Sequence, residues 1–214
     1  MTDLIFYTNP QSRGQIVRWM LEETGAAYRT ELIDYASTMK AEPYLSINPM
    51  GKVPAIQHKG KVVTEVAAIC CYLADAFPAA NLAPPPGERA DYYRWIFFTS
   101  GPVEAAFSNK AAGWEPTPER QRMFGYGTYD TAINTFEKAL TGKEYIAADH
   151  FTAADLFVGA NVNFMLAFNL LEPRPVFVDY ARRMTDRDAY RRAKEIDSKL
   201  VAEIQAAQAP QPAA

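Results

Sequence analysis

The chain has 214 residues, 49% hydrophobic and 22% charged, which is the balance of a globular protein with its own core rather than of a disordered or fibrous chain. With 22 basic against 25 acidic residues the formal net charge is −3, and no basic stripe is available to neutralise a run of phosphates, so nucleic acid is not an expected partner. The two cysteines, Cys70 and Cys71, are adjacent and the two histidines, His58 and His150, lie far apart, so neither a disulfide framework nor a metal site is expected.

At the N-terminus, Met1-Thr2-Asp3-Leu4 has no basic region leading into an apolar one, which points to a cytoplasmic protein. Leu4-Ile5-Phe6-Tyr7 is a short apolar run ended by Asn9-Pro10 and predicts a buried strand. Ser12 is placed to cap the next segment, where Ile16, Val17, Met20 and Leu21 recur on one helical face until Gly25 ends it. Residues 28–33 alternate weakly and predict a second strand, parallel to the first because a helix-sized crossover separates them. A loop and a helical turn near Tyr44-Leu45 lead to Val53-Pro54-Ala55-Ile56 and Val62-Val63, two short strands about a Lys59-Gly60 turn. Residues 67–77 predict a helix with Ile69, Leu73 and Phe77 on one face, which completes a β-α-β-α-β-β-α unit.

Composition shifts at residues 78–87, where Pro84-Pro85-Pro86 forbids a continuous helix, and a linker is expected over 79–88. Beyond it no strand alternation stands out, while Tyr126, Tyr129, Ile133, Phe136 and Leu140 step by three and four, so residues 89–206 read as all-helical. Thr152-Ala153-Ala154-Asp155 has the form of a capping box, with Phe151 and Leu156 placed as its hydrophobic staple. It opens an apolar stretch over 156–171 that Asn161, Asn163 and Asn169 interrupt and that is too short for a membrane span, so a buried helix is expected and no membrane partner. Residues 207–214 are small, polar or proline and predict a disordered tail.

The segment Asn48-Pro49-Met50-Gly51-Lys52-Val53-Pro54-Ala55-Ile56 closely resembles the loop of cytosolic, bacterial-type glutathione S-transferases that carries a cis-proline before the third strand. The block Thr64-Glu65-Val66-Ala67-Ala68-Ile69, followed by Tyr72-Leu73-Ala74-Asp75, is similar to that family's glutathione-binding turn into its third helix. The resemblance continues through the proline linker to the capping box. It implies a thioredoxin-like domain over residues 1–78 joined to an all-helical domain, glutathione as co-substrate without a metal, and a homodimer. The implied activity is conjugation of glutathione to small hydrophobic electrophiles, as in detoxification.

The resemblance assigns roles residue by residue. A cis bond at Val53-Pro54, the type of bond where cis is inexpensive, would turn the Val53 main-chain N–H and C=O outward to pair with the extended tripeptide. Glu65 stands where the family binds the γ-glutamyl ammonium. Val66 replaces the serine that usually follows, leaving only its backbone N–H at the helix N-terminus for the γ-glutamyl carboxylate. Lys52 is placed for the glycine carboxylate, as a flexible point charge or as a solvated loop lysine, and Arg13 joins the glutathione-binding set. Conjugation needs the thiolate, which a donor near the positive end of a helix favours, and the segment Thr8-Asn9-Pro10-Gln11-Ser12-Arg13 occupies that place. Ser12 comes first, because it precedes Arg13 as in members whose first helix starts Ser-Arg. In a tighter loop Asn9 or Thr8 would face the sulfur and Ser12 would only cap, whereas Tyr7 ends the strand one position too early.

The electrophile is expected between the first domain and the helices after the linker, with Phe97, Phe98, Ser108, Asn109, Trp114 and Tyr126 as candidate lining, although aromatics at helical spacing are more commonly core. Two other functions stay open. One is a glutathione-dependent reductase of disulfides or peroxides, for which the first loop offers no cysteine. The other is a non-catalytic binding protein, since a fold does not fix a function.

Overall fold

The computed structural model describes residues 2–208. They form two compact units: the chain up to Ala80 together with the part from Arg187 onward, and Asn81–Asp186 between them.

The first unit is built on a sheet of order β2-β1-β3-β4. In β1, Leu4–Thr8, the alternation of the sequence becomes alternation of faces: Leu4, Phe6 and Thr8 are buried, while Ile5 and Tyr7 are half-buried on the other side. Helix α1, Gly14–Thr24, is closed by Gly25 in the left-handed conformation (φ 65°) and carries the chain to β2, Arg29–Leu32, parallel to β1. After the short α2, Tyr44–Ile47, strands β3, Ala55–His58, and β4, Lys61–Thr64, form an antiparallel hairpin whose turn residues Lys59 and Gly60 both have positive φ, as a tight two-residue hairpin requires. Helix α3, Val66–Ala76, buries Ile69 and Leu73 completely, and the expected β-α-β-α-β-β-α order of a thioredoxin-like unit is observed. The opposite side of the sheet is covered by Ile33, Met39 and Tyr44, against which Tyr7, Ile47 and Val53 pack.

The same unit holds α9, Asp188–Gln208, which packs along α1. Here the structure departs from the expected division, which assigned everything from 89 to 206 to the helical half. The physical reason is a set of polar ties no local pattern announces. Arg18 on α1 is buried and donates through Nε to Asp197 (2.7 Å), and through Nη1 to the Tyr28 hydroxyl and Thr30 Oγ1 (both 3.1 Å). Its guanidinium also lies 5.0 Å from the centre of the Phe6 ring. Glu23 receives Arg187 in bidentate fashion (2.6 and 2.8 Å) as well as the Trp19 indole N–H (2.8 Å). Burial raises the Asp197 carboxyl above the usual range although Arg18 opposes it, and burial pushes the Tyr28 hydroxyl up to about 12. The helix runs through residues 207 and 208, so the tail expected from 207 does not begin there, and the rest of it lies outside the described residues.

The second unit is helical: α4 Ala90–Phe98, α5 Glu104–Ala111, α6 Tyr129–Leu140, α7 Ala153–Ala167 and α8 Pro175–Thr185. Between α4 and α5 a π turn, Thr99–Val103, contains Pro102, which has no N–H to give and whose ring the wider turn accommodates. On α6 the expected face is buried through Ile133, Phe136 and Leu140. Gly159 lets α7 and α8 touch closely, since a Cβ there would lie 2.6 Å from Met184 Cβ. Among the described residues no helix is long and apolar enough to cross a membrane.

The capping box expected at residues 152–155 is present and fully engaged. Asp155 accepts from the Thr152 N–H (2.9 Å), the Thr152 hydroxyl (2.8 Å), the Ile146 N–H (2.7 Å) and the Tyr180 hydroxyl (2.7 Å), all in buried surroundings. Asn161, one of the interruptions in the apolar stretch, is tolerated inside the unit because its amide donates to the Phe157 carbonyl one turn back (2.8 Å).

Candidate functional site

Strand register brings the three sequence blocks together. Tyr7 stands opposite Ala55, and Ala55 opposite Thr64. One step further along the same rows lie Thr8, Pro54 and Glu65, so the loop after β1, the Val53-Pro54 corner and the start of α3 meet at one end of three adjacent strands. This is the end where β1 delivers its chain into a helix, the usual address of a ligand in a sheet of this kind.

The bond Val53-Pro54 is cis, as is Glu42-Pro43, which the sequence did not single out. The carbonyl of Lys52 accepts from the Tyr44 hydroxyl (2.6 Å) and from the Asn48 amide (2.8 Å). By contrast, no hydrogen bond among the described residues falls on the main-chain N–H or C=O of Val53, whose side chain packs into the cluster under the loop. A pair of backbone groups without partners at a half-buried corner is an offer to an extended peptide. The Lys52 side chain is exposed.

Glu65 occupies the N-cap position of α3 with φ 65° and ψ 120°, outside the regions a non-glycine residue favours. Its side chain is exposed and makes no capping hydrogen bond. The helix ladder starts only with the Ile69 N–H to the Glu65 carbonyl (2.8 Å), so the N–H groups of Val66, Ala67 and Ala68 have no intrahelical acceptor. A carboxylate can be received there by those N–H groups and an ammonium by the Glu65 carboxylate, and backbone held in so unfavourable a conformation is characteristic of a ligand clamp.

All three candidate thiol donors have partners within the loop. Thr8 is completely buried, and its hydroxyl faces the Asn9 carbonyl at 3.3 Å. Asn9, 7% exposed, donates from its amide to the Ile33 carbonyl (3.1 Å) and accepts the Gln11 N–H (3.0 Å), tying the loop to the end of β2. Ser12 is half-buried; its hydroxyl accepts the Gly14 N–H (2.8 Å) and donates to the Asn9 carbonyl (2.7 Å). That carbonyl also receives the Ser12 N–H (3.0 Å), so three donors converge on an oxygen with two lone pairs. Gly14 makes this closeness possible, because a Cβ there would lie 1.9 Å from Thr8 Oγ1 and 2.9 Å from Ser12 Oγ. Arg13 follows at the N-cap position of α1, half-buried. Tyr7 points away from the loop: its hydroxyl donates to Gln57 (3.2 Å) and its ring packs on Tyr44.

In the second unit, Asn109 donates to the Tyr126 hydroxyl (3.0 Å), and Trp114 joins them through Phe124, with ring centres 5.0 and 6.2 Å apart. Ser108 faces Glu104 at 3.4 Å, Phe98 packs edge-on against Trp95, and Phe97 is 63% exposed. Sequence reasoning gave no role to Lys40, Tyr44 or Asn48, which hold the loop before Val53. Only Asn48, a residue suited to bonding its own turn, carried any local signal.

Residues 12–76 match the family profile "Glutathione S-transferase, N-terminal domain". The chain is 27% identical over 205 residues to protein LigF of Sphingobium sp., covering 76% of this chain and 77% of that protein. It is 27% identical over 181 residues to glutathione S-transferase A of Pleuronectes platessa, covering 78% and 80% of the two chains. Among solved structures, a glutathione transferase from Methylococcus capsulatus matches with a TM-score of 0.74 and 26% identity over 92% of this chain and 99% of that one.

Proposed function

From the premise that this chain belongs to the glutathione S-transferase family, we propose that it is a glutathione transferase joining the glutathione thiolate to small hydrophobic electrophiles. The observation that carries this reading is the register that sets the loop at residues 8–13, the unpartnered main chain of Val53 and the open N-terminus of α3 at one end of the sheet. The cysteinyl residue of glutathione pairs with Val53, its γ-glutamyl ammonium meets Glu65, and its γ-glutamyl carboxylate receives the first N–H groups of α3. Lys52 faces the glycine carboxylate.

Ser12 is the donor to the sulfur. Of the three candidates it is the one that is not almost wholly buried, and its proton rests on a carbonyl that keeps two other donors when the hydroxyl turns away. The Gly14 N–H donating to Ser12 Oγ makes that hydroxyl a stronger donor. With the anion so favoured, the thiolate attacks the electrophilic carbon, the carbon–sulfur bond forms and the leaving group departs with its electron pair. No cysteine stands in this loop to form a mixed disulfide, since Cys70 is buried in α3 and Cys71 lies beside it, which favours conjugation over disulfide reduction. A homodimer belongs to the same proposal, supported by the exposed Tyr93 and Phe97 rings on α4.

The test is an aryl-halide conjugation assay combined with ultraviolet titration of bound glutathione. Wild type is expected to turn over, and S12A is expected to lose about 100-fold in kcat/KM while the bound thiol returns toward a free-thiol pKa of about 8.5. An unchanged titration in S12A would remove Ser12 from the role, and absence of both binding and turnover in wild type would remove the proposal.

A further inference from the structure

The loop over residues 8–13 is held from the sheet side and from the helix side, and on the helix side Gln15 does the holding. Half-buried in the first turn of α1, it donates its amide to the Pro10 carbonyl (2.6 Å) and its main-chain N–H to the Ser12 carbonyl (3.2 Å). On the sheet side the Asn9 amide fixes the Ile33 carbonyl, and the Asn9 side-chain oxygen receives the Gln11 N–H. The Pro10-Gln11 peptide therefore has both its polar groups taken by side chains, its carbonyl by Gln15 and its N–H by Asn9. That fixes the plane from which the chain turns to Ser12.

Gln15 is in turn held by α9. Its amide oxygen accepts Lys194 Nζ (3.3 Å), the first of a row of ties between α1 and α9 that continues with Arg18 to Asp197, Glu22 to Arg192 and Glu23 to Arg187. A cation on the oxygen of an amide draws charge from its nitrogen and makes the amide N–H a stronger donor. A glutamine engaged at both ends, with one end on the buried Pro10, is a strut; a solvated first-turn glutamine would keep its rotamer freedom.

We propose that Gln15 is a positioning residue for thiol activation: by fixing the Pro10 carbonyl, with Lys194 of α9 behind it, it sets the direction in which residues 9–12 present their donor to the sulfur, without contact with the ligand. This rests on the glutathione reading above. It gives α9, at the far end of the chain, a part in the chemistry of the first loop.

The experiment compares wild type, Q15L, Q15R and K194M by ultraviolet titration of bound glutathione, by turnover with an aryl halide, and by calorimetry with S-methylglutathione, which keeps the tripeptide but has no thiol to ionise. Q15L is expected to raise the pKa of the bound thiol by about one unit and to lower kcat about tenfold, while S-methylglutathione binds as to wild type because Val53 and Glu65 are untouched. Q15R, able to donate to the Pro10 carbonyl but not to accept from Lys194, is expected to recover most of the loss. K194M, a change at an exposed residue, is expected to move the titration the same way by about 0.3 unit. Unchanged titration and kcat in folded Q15L would overturn the inference, whatever its melting temperature, and leave Gln15 a residue of stability alone. An equal loss with S-methylglutathione would overturn it too, by making Gln15 part of the peptide seat. K194M remains a test if Q15L does not fold, and a titration identical to wild type there would contradict the inference. If wild type bound neither ligand while folded, the glutathione reading itself would fall, a result distinguishable from these.

Discussion

Helices α3 and α7 each begin with an acidic residue close to the first turn, and they treat it in opposite ways. At the start of α7, Asp155 is buried and accepts four hydrogen bonds, among them the N-cap N–H, while the Ala153 N–H goes to the Leu82 carbonyl and the Ala154 N–H to Thr152 Oγ1, so that the N-terminus is closed. At the start of α3, Glu65 is exposed, makes no cap bond and sits at φ 65°, so that the N–H groups behind it stay open. Residue type near a helix dipole therefore does not distinguish stability from binding; what distinguishes them is whether the protein itself satisfies the orphan N–H groups.

The largest effect that follows is on stability. D155A strands buried donors at Ile146, Thr152 and Tyr180, and is expected to cost about 3–5 kcal/mol by denaturant unfolding while the protein that remains folded binds glutathione as wild type does. A loss under 1 kcal/mol would mean that the box is not the closed structure the distances indicate. At α3 the pattern reverses. E65Q is expected to weaken glutathione binding by about 10- to 100-fold with little change in unfolding free energy, and E65G to gain about 1 kcal/mol of stability while losing binding, since glycine removes the Cβ that disfavours this φ. If E65G were destabilised, the strain ascribed to that position would be absent.

A smaller effect concerns Tyr44, whose hydroxyl holds the loop through the Lys52 carbonyl. Burial pushes its pKa up to about 12 from 10, so the native state keeps a proton that the unfolded chain releases. Its contribution is complete below pH 10 and is lost as pH rises through about 12; Tyr28 behaves alike. Absorbance of ionised tyrosine should therefore appear later in folded than in unfolded protein, and in Y44F the late component should shrink.

Much of the fold was legible because its signals are local. The apolar run at Leu4, the Lys59-Gly60 turn, the stepping of Ile133, Phe136 and Leu140 and the tetrad at Thr152 each depend on neighbours a few residues away. The site was legible as blocks and not as a constellation. Glu65 could be located, yet its positive φ runs against its own local preference, and no local pattern announces such a conformation. Ser12 could be located, whereas the choice of its hydroxyl partner depends on how tightly Gly14 lets the loop close. Lys40 holds carbonyls ten and eleven residues away. The place of α9 depends on Arg18 and Asp197, 179 residues apart, since amphipathic spacing tells that a helix has a buried face and not which unit buries it.

The central claim is that Val53 keeps its main chain free for a peptide ligand, and amide hydrogen exchange at Val53, with and without saturating glutathione, tests it most directly. The prediction is rapid exchange in the free protein and slowing by at least about tenfold with ligand, while the Asp155-bonded amides of Ile146 and Thr152 stay protected in both states. A Val53 amide already protected without ligand, or equally rapid with it, would contradict the account.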